Sequence, residues 1–262
     1  MGWDFETIRV SPAVPVARVT LSRPDVRNAF NDVMIRELRE AFRSLRALDG
    51  LRAAVLTGEG SSFCAGADLH WMGRVVDYTK EESYADSLAL AELLNEMYEF
   101  PVPLVGRING PAIGGGVGFV AVCDVSVAAG DAVFGFSEVK IGLVPACISP
   151  YVLKRVGERY AREYFMTGER LSAHQARECG LINRVADAEG LDAAVDGYLK
   201  TFLEGAPQAL AMCKRMLGQM AEMPLKKAVT ETARMITDLR CGSEGQEGMR
   251  SFLQKRKPSW RA

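Results

Sequence analysis

The segment Ile108-Asn-Gly-Pro-Ala-Ile-Gly-Gly-Gly-Val-Gly118 decides how this chain folds, because a strand pattern ends in it and a helix pattern follows. Fixing a glycine inside an element costs about 0.5–1 kcal/mol relative to alanine. Four glycines between residues 114 and 118 therefore indicate that some group approaches the backbone closely. The first N–H groups of a helix have no partner inside the helix and lie at its positive end. A phosphate, or a carbonyl oxygen that becomes an oxyanion, can bind there.

The segment matches neither of the common phosphate-binding patterns, GxGxxG and GxxxxGK[ST], and no lysine follows where a phosphate would need it. Tight packing of a helix on a sheet is the alternative explanation for its glycines. A second glycine-containing loop, Cys64-Ala-Gly-Ala-Asp-Leu69, also follows a strand and leads towards a helix. Two such loops can each direct one backbone N–H to the same carbonyl oxygen, which is the geometry of an oxyanion hole. For this second loop, a simple turn capped by Asp68 is the alternative.

The composition is that of a globular protein of one large domain or two small ones. The chain has 262 residues, of which 48% are hydrophobic and 25% charged, and its net charge is −1. This balance supports neither a nucleic-acid partner nor an anionic membrane. We expect no signal peptide and no membrane span, and the six widely spaced cysteines are typical of reduced thiols in a cytoplasmic protein. With two histidines in the chain, a histidine-based zinc site is not expected.

Strand and helix patterns alternate in the first half of the chain, which predicts a largely parallel sheet with crossover helices. The predicted strands are 16–21, 53–57, 103–108, 123–129 and 132–136. Early helices are predicted after Asn31 as the N-terminal cap and over 80–99. From about residue 149 the chain is predicted to be mostly helical, over 149–166, 172–179, 190–203, 206–220, 224–239 and 243–256.

Three segments together resemble the enoyl-CoA hydratase/isomerase (crotonase) superfamily: FCAGADL at 63–69, INGPAIGGG at 108–116 and EVKIGLVP at 138–145. The similarity extends over nearly the whole chain, and the motifs occur in the family's order. It implies an α/β fold of the ClpP/crotonase type. In that fold a spiral of ββα units, residues 1–195, holds the CoA and catalytic site, and residues 196–262 form a helical trimerisation region.

The same resemblance implies an enzyme that acts on acyl-CoA thioesters as a lyase or an isomerase. It further implies a homotrimer or a hexamer built as a dimer of trimers, with no metal or redox cofactor and no nucleic-acid or membrane partner. The backbone N–H groups of Ala67 and Gly115 are expected to hold the thioester oxygen while an enolate forms. The residues expected along the bound acyl group and CoA are Arg27, Ala29, Ala65, Gly66, Asp68, Leu69, His70, Gly114, Gly118 and Lys257. For Lys257, a solvated helix end is the alternative.

Hydratases of this family usually carry two catalytic glutamates, and here Gly118 stands at the first position and Glu138 at the second. We expect Gly118 to open space where a carboxylate would otherwise lie. Glu138 lies between apolar stretches, so its pKa should be raised and it can transfer protons. Two chemistries remain open: syn hydration of a 2-enoyl-CoA, and isomerisation of a C2–C3 double bond by Glu138 alone. A non-catalytic CoA-binding or RNA-binding relative is the third hypothesis, and the net charge gives RNA binding no support.

The segment Pro145-Ala-Cys-Ile-Ser-Pro-Tyr151, together with Gly118 and Asp68-Leu-His-Trp-Met72, is similar to the 3-methylglutaconyl-CoA and isohexenylglutaconyl-CoA hydratases. Such substrates are branched at Cβ and carry a distal carboxylate, so the acyl end of the site would need a cation. The candidate cations are Arg74, Lys140 and Lys154. The sequence does not choose between pathways such as fatty-acid and leucine breakdown.

Overall fold

The computed structural model describes residues 3–187, 189–221 and 223–261, which form two sheets with ten α-helices packed around them. The strands are β1 (Ile8–Ser11), β2 (Val16–Leu21), β3 (Ala53–Gly58), β4 (Leu104–Ile108), β5 (Ala112–Ile113), β6 (Val125–Ala129), β7 (Val133–Gly135), β8 (Arg170–Ser172) and β9 (Arg184–Ala186). The helices are α1 (Asp32–Arg46), α2 (Leu69–Val75), α3 (Lys80–Tyr98), α4 (Gly115–Ala121), α5 (Ser149–Thr167), α6 (Ala173–Glu178), α7 (Leu191–Glu204), α8 (Pro207–Met220), α9 (Leu225–Cys241) and α10 (Ser243–Leu253). Short 3-10 segments cover Pro24–Val26, Glu138–Ile141 and Ser259–Arg261.

The main sheet has six strands in the order β1-β2-β3-β4-β6-β9. Only the β1–β2 pair within it is antiparallel, and the other four pairs are parallel. Parallel neighbours need crossover connections, which α1, α3 and α4 supply between successive strands. All six residues of β3 are buried, as expected for a central strand covered on both faces. The predicted parallel sheet is therefore confirmed.

The second sheet has three strands in the order β5-β7-β8, and it stands beside the loops that precede α4. Its β5–β7 pair is parallel and its β7–β8 pair antiparallel. Because β5 follows β4 after only three residues, the chain leaves the main sheet immediately before the glycine segment. This exit brings the start of α4 against β7, since the Gly114 N–H donates to the Gly135 carbonyl.

The core lies on both faces of the main sheet. On one face α7 packs Leu191, Val195 and Leu199 against Val55 and Val105 of the central strands. The other face is covered mainly by α1, α3 and α4. The domain boundary predicted at residue 195 falls inside α7, one helix that packs on the sheet, and the division of the chain into two domains stays a prediction.

Five elements were not predicted from the sequence pattern: β1, α2, β5, β8 and β9. Each is between two and seven residues long, too short for a clear periodic signal. The four strands exist because a distant segment offers them backbone partners, for example Ile8 opposite Leu21. The helix α2 exists because Asp68 caps its first turn. Long-range contact and a single cap therefore decide what the local pattern leaves open.

The C-terminal helices form the least buried part of the structure. No described residue of α8 or α9 is buried, and large apolar side chains lie exposed on α8–α10. Within the described ranges, no helix is both long and apolar enough to span a membrane.

Candidate active site

Two loops meet beside the N-terminus of α4. Cys64 pairs with Ala112 in a parallel bridge, and the Ile113 N–H donates to the Cys64 carbonyl at 3.0 Å. On its other side the first loop pairs with Phe30, which donates to the Gly66 carbonyl and accepts from the Asp68 N–H. In a parallel pairing successive N–H groups point in opposite directions. The Ala67 N–H, which lies between these two bonds, therefore points away from Phe30.

Gly114 fixes the start of α4. Its φ of +52° and ψ of −126° are disfavoured for any residue with a side chain, and its N–H donates to the Gly135 carbonyl at 2.8 Å. Gly115 follows as the first residue of the helix. In the described part of the chain, neither the Gly115 nor the Ala67 N–H donates to another group. Two unpaired N–H groups on contacting loops are what the predicted oxyanion hole requires.

The glycines also allow close packing, so the alternative explanation for them holds alongside the first. A Cβ placed on Gly115 would lie 2.6 Å from Cζ of Phe30, and one on Gly116 would lie 2.5 Å from the Cys64 carbonyl oxygen. A Cβ on Gly66 would lie 2.8 Å from the Ile113 carbonyl oxygen. These distances leave no room for side chains, so both loops need glycine to come together.

Asp68 holds the first loop in place. Its Oδ1 accepts from the N–H groups of His70 at 2.8 Å and Trp71 at 3.1 Å, which caps α2. Its Oδ2 lies 2.8 Å from Arg23, whose guanidinium also donates to the Ala29 carbonyl. Burial acts to raise the pKa of Asp68, but the Trp71 N–H and Arg23 outweigh it and hold that pKa below its usual range. The turn capped by Asp68 is thus present. These contacts of Asp68 hold the neighbouring Ala67 in position.

The Glu138 carboxyl lies against the start of α4. Its Oε1 is 3.1 Å from a Cβ placed on Gly114, so the carboxyl lies over that glycine. Its Oε2 is buried and has no hydrogen-bond partner among the described residues. Burial raises the pKa of Glu138, as the sequence predicts. A carboxyl in this state holds its proton more tightly than a solvated one and can exchange it with a bound molecule.

The expectation that Gly118 opens space where a carboxylate would otherwise lie is wrong. A Cβ placed on Gly118 would lie 2.4 Å from Cγ2 of Ile148 and 3.3 Å from Cδ2 of Leu94. Both side chains are fully or almost fully buried. Ile148 therefore fills the position into which a side chain at residue 118 would project, and this wall of the site is apolar.

The other predicted contact residues fall into two groups. Arg27, Ala29 and Ala65 lie together with the first loop, since the Ala65 N–H donates to the Arg27 carbonyl at 3.0 Å. Leu69 and His70 are exposed in the first turn of α2. Lys257 instead lines a cavity of about 990 Å³ with Arg18, Arg52, Lys200, Trp260 and other residues from β2, α7 and the C-terminus. A single chain does not bring Lys257 to the two loops.

The three candidate cations each contact another part of the fold. Arg74 pairs with Asp32 at 2.5 Å, and the Lys154 ammonium lies 5.0 Å from the centre of the Tyr98 ring. Lys140 packs its Cε 2.9 Å from a Cβ placed on Gly168, beyond the end of α5. The sequence pattern also gave no role to Phe30, which packs under Gly115, or to Ile148. Both act through contacts across the fold that have no local signal.

The enoyl-CoA hydratase/isomerase family model matches residues 13–262, so the chain belongs to this family. The 2,3-dehydroadipyl-CoA hydratase of Escherichia coli is 30% identical, with 96% of this chain and 97% of that protein covered. Two solved structures show the same crotonase fold. An enoyl-CoA hydratase from Shewanella pealeana superposes with a TM-score of 0.94 at 35% identity, covering 98% of this chain and 96% of that one. AtuE of Pseudomonas aeruginosa superposes with a TM-score of 0.95 at 36% identity, covering 98% and 100%.

Proposed function

We propose that this enzyme hydrates a 2-enoyl-CoA thioester, with Glu138 as its single acid/base and the Ala67 and Gly115 N–H groups as its oxyanion hole. The observation that carries the proposal is the position of Glu138. Its buried Oε2 lacks a partner and its carboxyl lies over Gly114, one residue before an unpaired N–H at a helix start. The hydratase names of the relatives support the same reaction.

In this mechanism the thioester oxygen accepts hydrogen bonds from both N–H groups. Negative charge develops on that oxygen as water adds, and loss of one donor of this kind costs about 3–4 kcal/mol of transition-state stabilisation. The Glu138 carboxylate takes a proton from water while the water oxygen bonds to C3. The protonated carboxyl then gives that proton to C2 on the same face, so the carboxylate is regenerated.

The segment 65–70 with Arg27 and Ala29 is proposed to bind the adenine and pantetheine of CoA. The reaction as written needs no cofactor besides the thioester substrate. A cytoplasmic location stays a prediction of the sequence.

Isomerisation of a 3-enoyl-CoA by Glu138 alone is the second candidate. The apolar side chains of Ile148 and Leu94 beside Gly118 favour it, because neither can hold a second water contact where a second glutamate would otherwise stand. In that reaction Glu138 moves a proton between carbons, and no oxygen enters the product.

Turnover in H₂¹⁸O tests both candidates. Crotonyl-CoA, 3-methylglutaconyl-CoA and a 3-enoyl-CoA are each incubated with the enzyme, and the products are weighed by mass spectrometry. We expect one labelled oxygen per product and a fall of about 10²–10⁴ in kcat for Glu138→Gln. The matched control is Glu169→Gln, which changes an exposed glutamate and should leave kcat unchanged. A double-bond shift without label would make the enzyme an isomerase, and no turnover of any thioester would contradict both.

Two classes of acyl group are candidates for the substrate. A branched, 3-methylglutaconyl-type substrate follows from the similarity around 145–151, and the name of the Escherichia coli relative also describes a dicarboxylic acyl thioester. An uncharged acyl end is the other class. Arg74, one of the cations expected for the dicarboxylic class, is paired with Asp32.

We also propose a homotrimer, alone or paired into a hexamer. The support is the apolar surface of α8–α10, where Leu225 is 81% and Phe252 83% exposed. Exposed apolar patches of this kind commonly mark protein–protein interfaces. Light scattering of the purified chain measures the assembly directly.

A further inference from the structure

Phe30 contacts both loops of the proposed oxyanion hole, and its backbone holds the first of them. The Phe30 N–H donates to the Gly66 carbonyl at 2.8 Å, and the Phe30 carbonyl accepts from the Asp68 N–H at 2.9 Å. These two bonds lie on either side of Ala67, which pairs with Phe30 in a parallel bridge. The backbone of Phe30 therefore fixes the direction of the Ala67 N–H.

The ring of Phe30 holds the second loop. Its side chain is buried and lies against the first turn of α4. Beyond the adjoining residues of the chain, the three atoms nearest to a Cβ placed on Gly115 all belong to this ring, at 2.6, 2.7 and 3.8 Å. One residue thus touches Gly115 through its side chain and flanks Ala67 through its backbone.

Neighbouring rings keep the Phe30 ring in place. It packs edge-on against Trp71 of α2 and Phe119 of α4, with ring centroids 5.6 Å apart in both pairs. Both partners are buried. Because protein interiors are close-packed, a ring held from two sides transmits its position to the atoms it touches.

The residues before Phe30 are anchored as well. Arg27 and Asn28 both have a φ of +55°, in the left-handed region that side chains disfavour. The fully buried Asn28 amide holds this turn, since it donates to the Glu59 and Ser62 carbonyls at 2.8 Å each. It also accepts from the Arg23 N–H at 2.9 Å. Phe30 therefore enters the site from a fixed point of the chain.

We propose that Phe30 is a positioning residue, which sets the distance between the Ala67 and Gly115 N–H groups. An oxyanion donor must lie about 2.7–3.1 Å from the oxygen that it stabilises. A misplacement of about 1 Å can cost about 10²-fold in rate. The inference rests on the proposed function in one respect, namely that these two N–H groups bind the thioester oxygen.

The close approach of Phe30 to Gly115 supplies a direct test. Gly115→Ala keeps the backbone N–H, and φ at this position is outside the left-handed region. Its new Cβ would collide with the Phe30 ring, so the ring or the start of α4 must move. Phe30→Leu removes the colliding ring atoms. The four proteins to compare are the wild type, each single variant and the double variant.

The position of the donors is measured on a bound thioester that does not react. Butanoyl-CoA with ¹³C at the thioester carbonyl is saturated at C2–C3, so it binds without turnover. A hydrogen bond to a carbonyl oxygen lowers the C=O stretching frequency, and difference infrared spectroscopy reads this lowering. The kcat and KM for crotonyl-CoA are measured alongside, and the melting temperature shows that each variant is folded.

We expect Gly115→Ala to lose more than half of the frequency lowering and about 10²-fold in kcat. Adding Phe30→Leu should restore about tenfold of that loss, together with part of the lowering. Phe30→Leu alone should reduce kcat by about three- to tenfold and change KM less, because the donors act mainly in the transition state.

Two matched controls separate positioning from general packing. Gly116→Ala places its Cβ 2.5 Å from the Cys64 carbonyl oxygen, a contact that Phe30→Leu leaves in place, so the second substitution should not restore it. Phe42→Leu changes another buried ring, edge-on to Phe100 at 5.1 Å in a part of the core that does not touch either loop. It should lower the melting temperature while the carbonyl frequency and kcat stay unchanged.

Failure of Phe30→Leu to restore Gly115→Ala would overturn the inference. A carbonyl frequency in Phe30→Leu equal to that in Phe42→Leu would also overturn it, and this comparison decides the matter if Gly115→Ala does not fold. Failure of the proposed function looks different. An unchanged frequency on binding to the wild type would remove the oxyanion hole and this inference together, whereas a lowered frequency without labelled product would remove only the hydration.

Discussion

The short helix α4 and the long helices α8–α10 differ in how far their residues are buried within one chain. Six of the seven residues of α4 are buried, and a Cβ on Gly115, Gly116 or Gly118 would collide with a neighbour at 2.4–2.6 Å. In α8 and α9 no described residue is buried, and a Cβ on Gly218 would meet nothing within 4 Å. Both regions are rich in apolar residues.

This difference shows which segments pack against each region. The glycines of α4 are constrained by three distant segments of the chain: Phe30 from before α1, Cys64 from the first loop and Ile148 from before α5. The apolar residues of α8–α10 find little of this packing within one chain. Their burial therefore requires contacts from outside it, which is the argument for assembly.

Asp68→Ala should have the largest effect on stability. It removes the cap of α2 and leaves Arg23 without its buried partner, so we expect a loss of about 3 kcal/mol in the free energy of unfolding. Asp68→Asn keeps the capping oxygen and should lose roughly half as much. Urea denaturation measures both, and a loss under about 1 kcal/mol for Asp68→Ala would show that the loop does not depend on this carboxylate.

The same aspartate gives a pH dependence with a defined sign. Its pKa is lower in the folded state than in the unfolded chain. Its contribution is therefore fully present above the unfolded-state pKa and is lost as pH falls through the folded-state pKa. The stability difference between wild type and Asp68→Asn should shrink as the pH is lowered through that window, and a constant difference would contradict the assignment.

Alanine at two helical glycines compares the two regions directly. Gly116→Ala places a Cβ 2.5 Å from the Cys64 carbonyl oxygen, and we expect a loss of about 1–3 kcal/mol. Gly218→Ala meets nothing and should gain up to about 1 kcal/mol from helix propensity. Thermal and urea unfolding check both signs. If Gly218→Ala instead destabilises the protein, α8 is covered by another copy at that point.

Charging the end of α10 should have the smallest effect on the fold of one chain. Phe252→Asp with Leu253→Asp changes two side chains that are 83% and 79% exposed, so the stability of one chain should move by less than about 0.5 kcal/mol. We expect the assembly to dissociate, as measured by light scattering. Val14→Asp, at another exposed apolar position, is the control and should leave the assembly intact. An assembly that survives the double substitution would place the interface elsewhere.

Much of the secondary structure could be predicted because its signals are local. Asn31 caps α1 by accepting from the Met34 N–H at 2.9 Å, and α3 begins with a capping box at Thr79 and Glu82. The raised pKa of Glu138 could also be predicted, because apolar residues flank it in the sequence. The short strands β1, β8 and β9 could not, because each depends on a partner far away in the chain. The filling of the space at Gly118 escaped prediction for the same reason.

By itself the sequence determined the family, the parallel sheet, the two glycine loops and the position of the acid/base candidate. These features follow from periodicity, turn residues and motif order, which are local properties of the sequence. Only the tertiary structure decided that Ile148 fills the space beside Gly118, that Arg74 pairs with Asp32, and that Phe30 packs under Gly115. Each of these depends on side chains brought together from separate elements, and no spacing along the chain encodes which of them will touch.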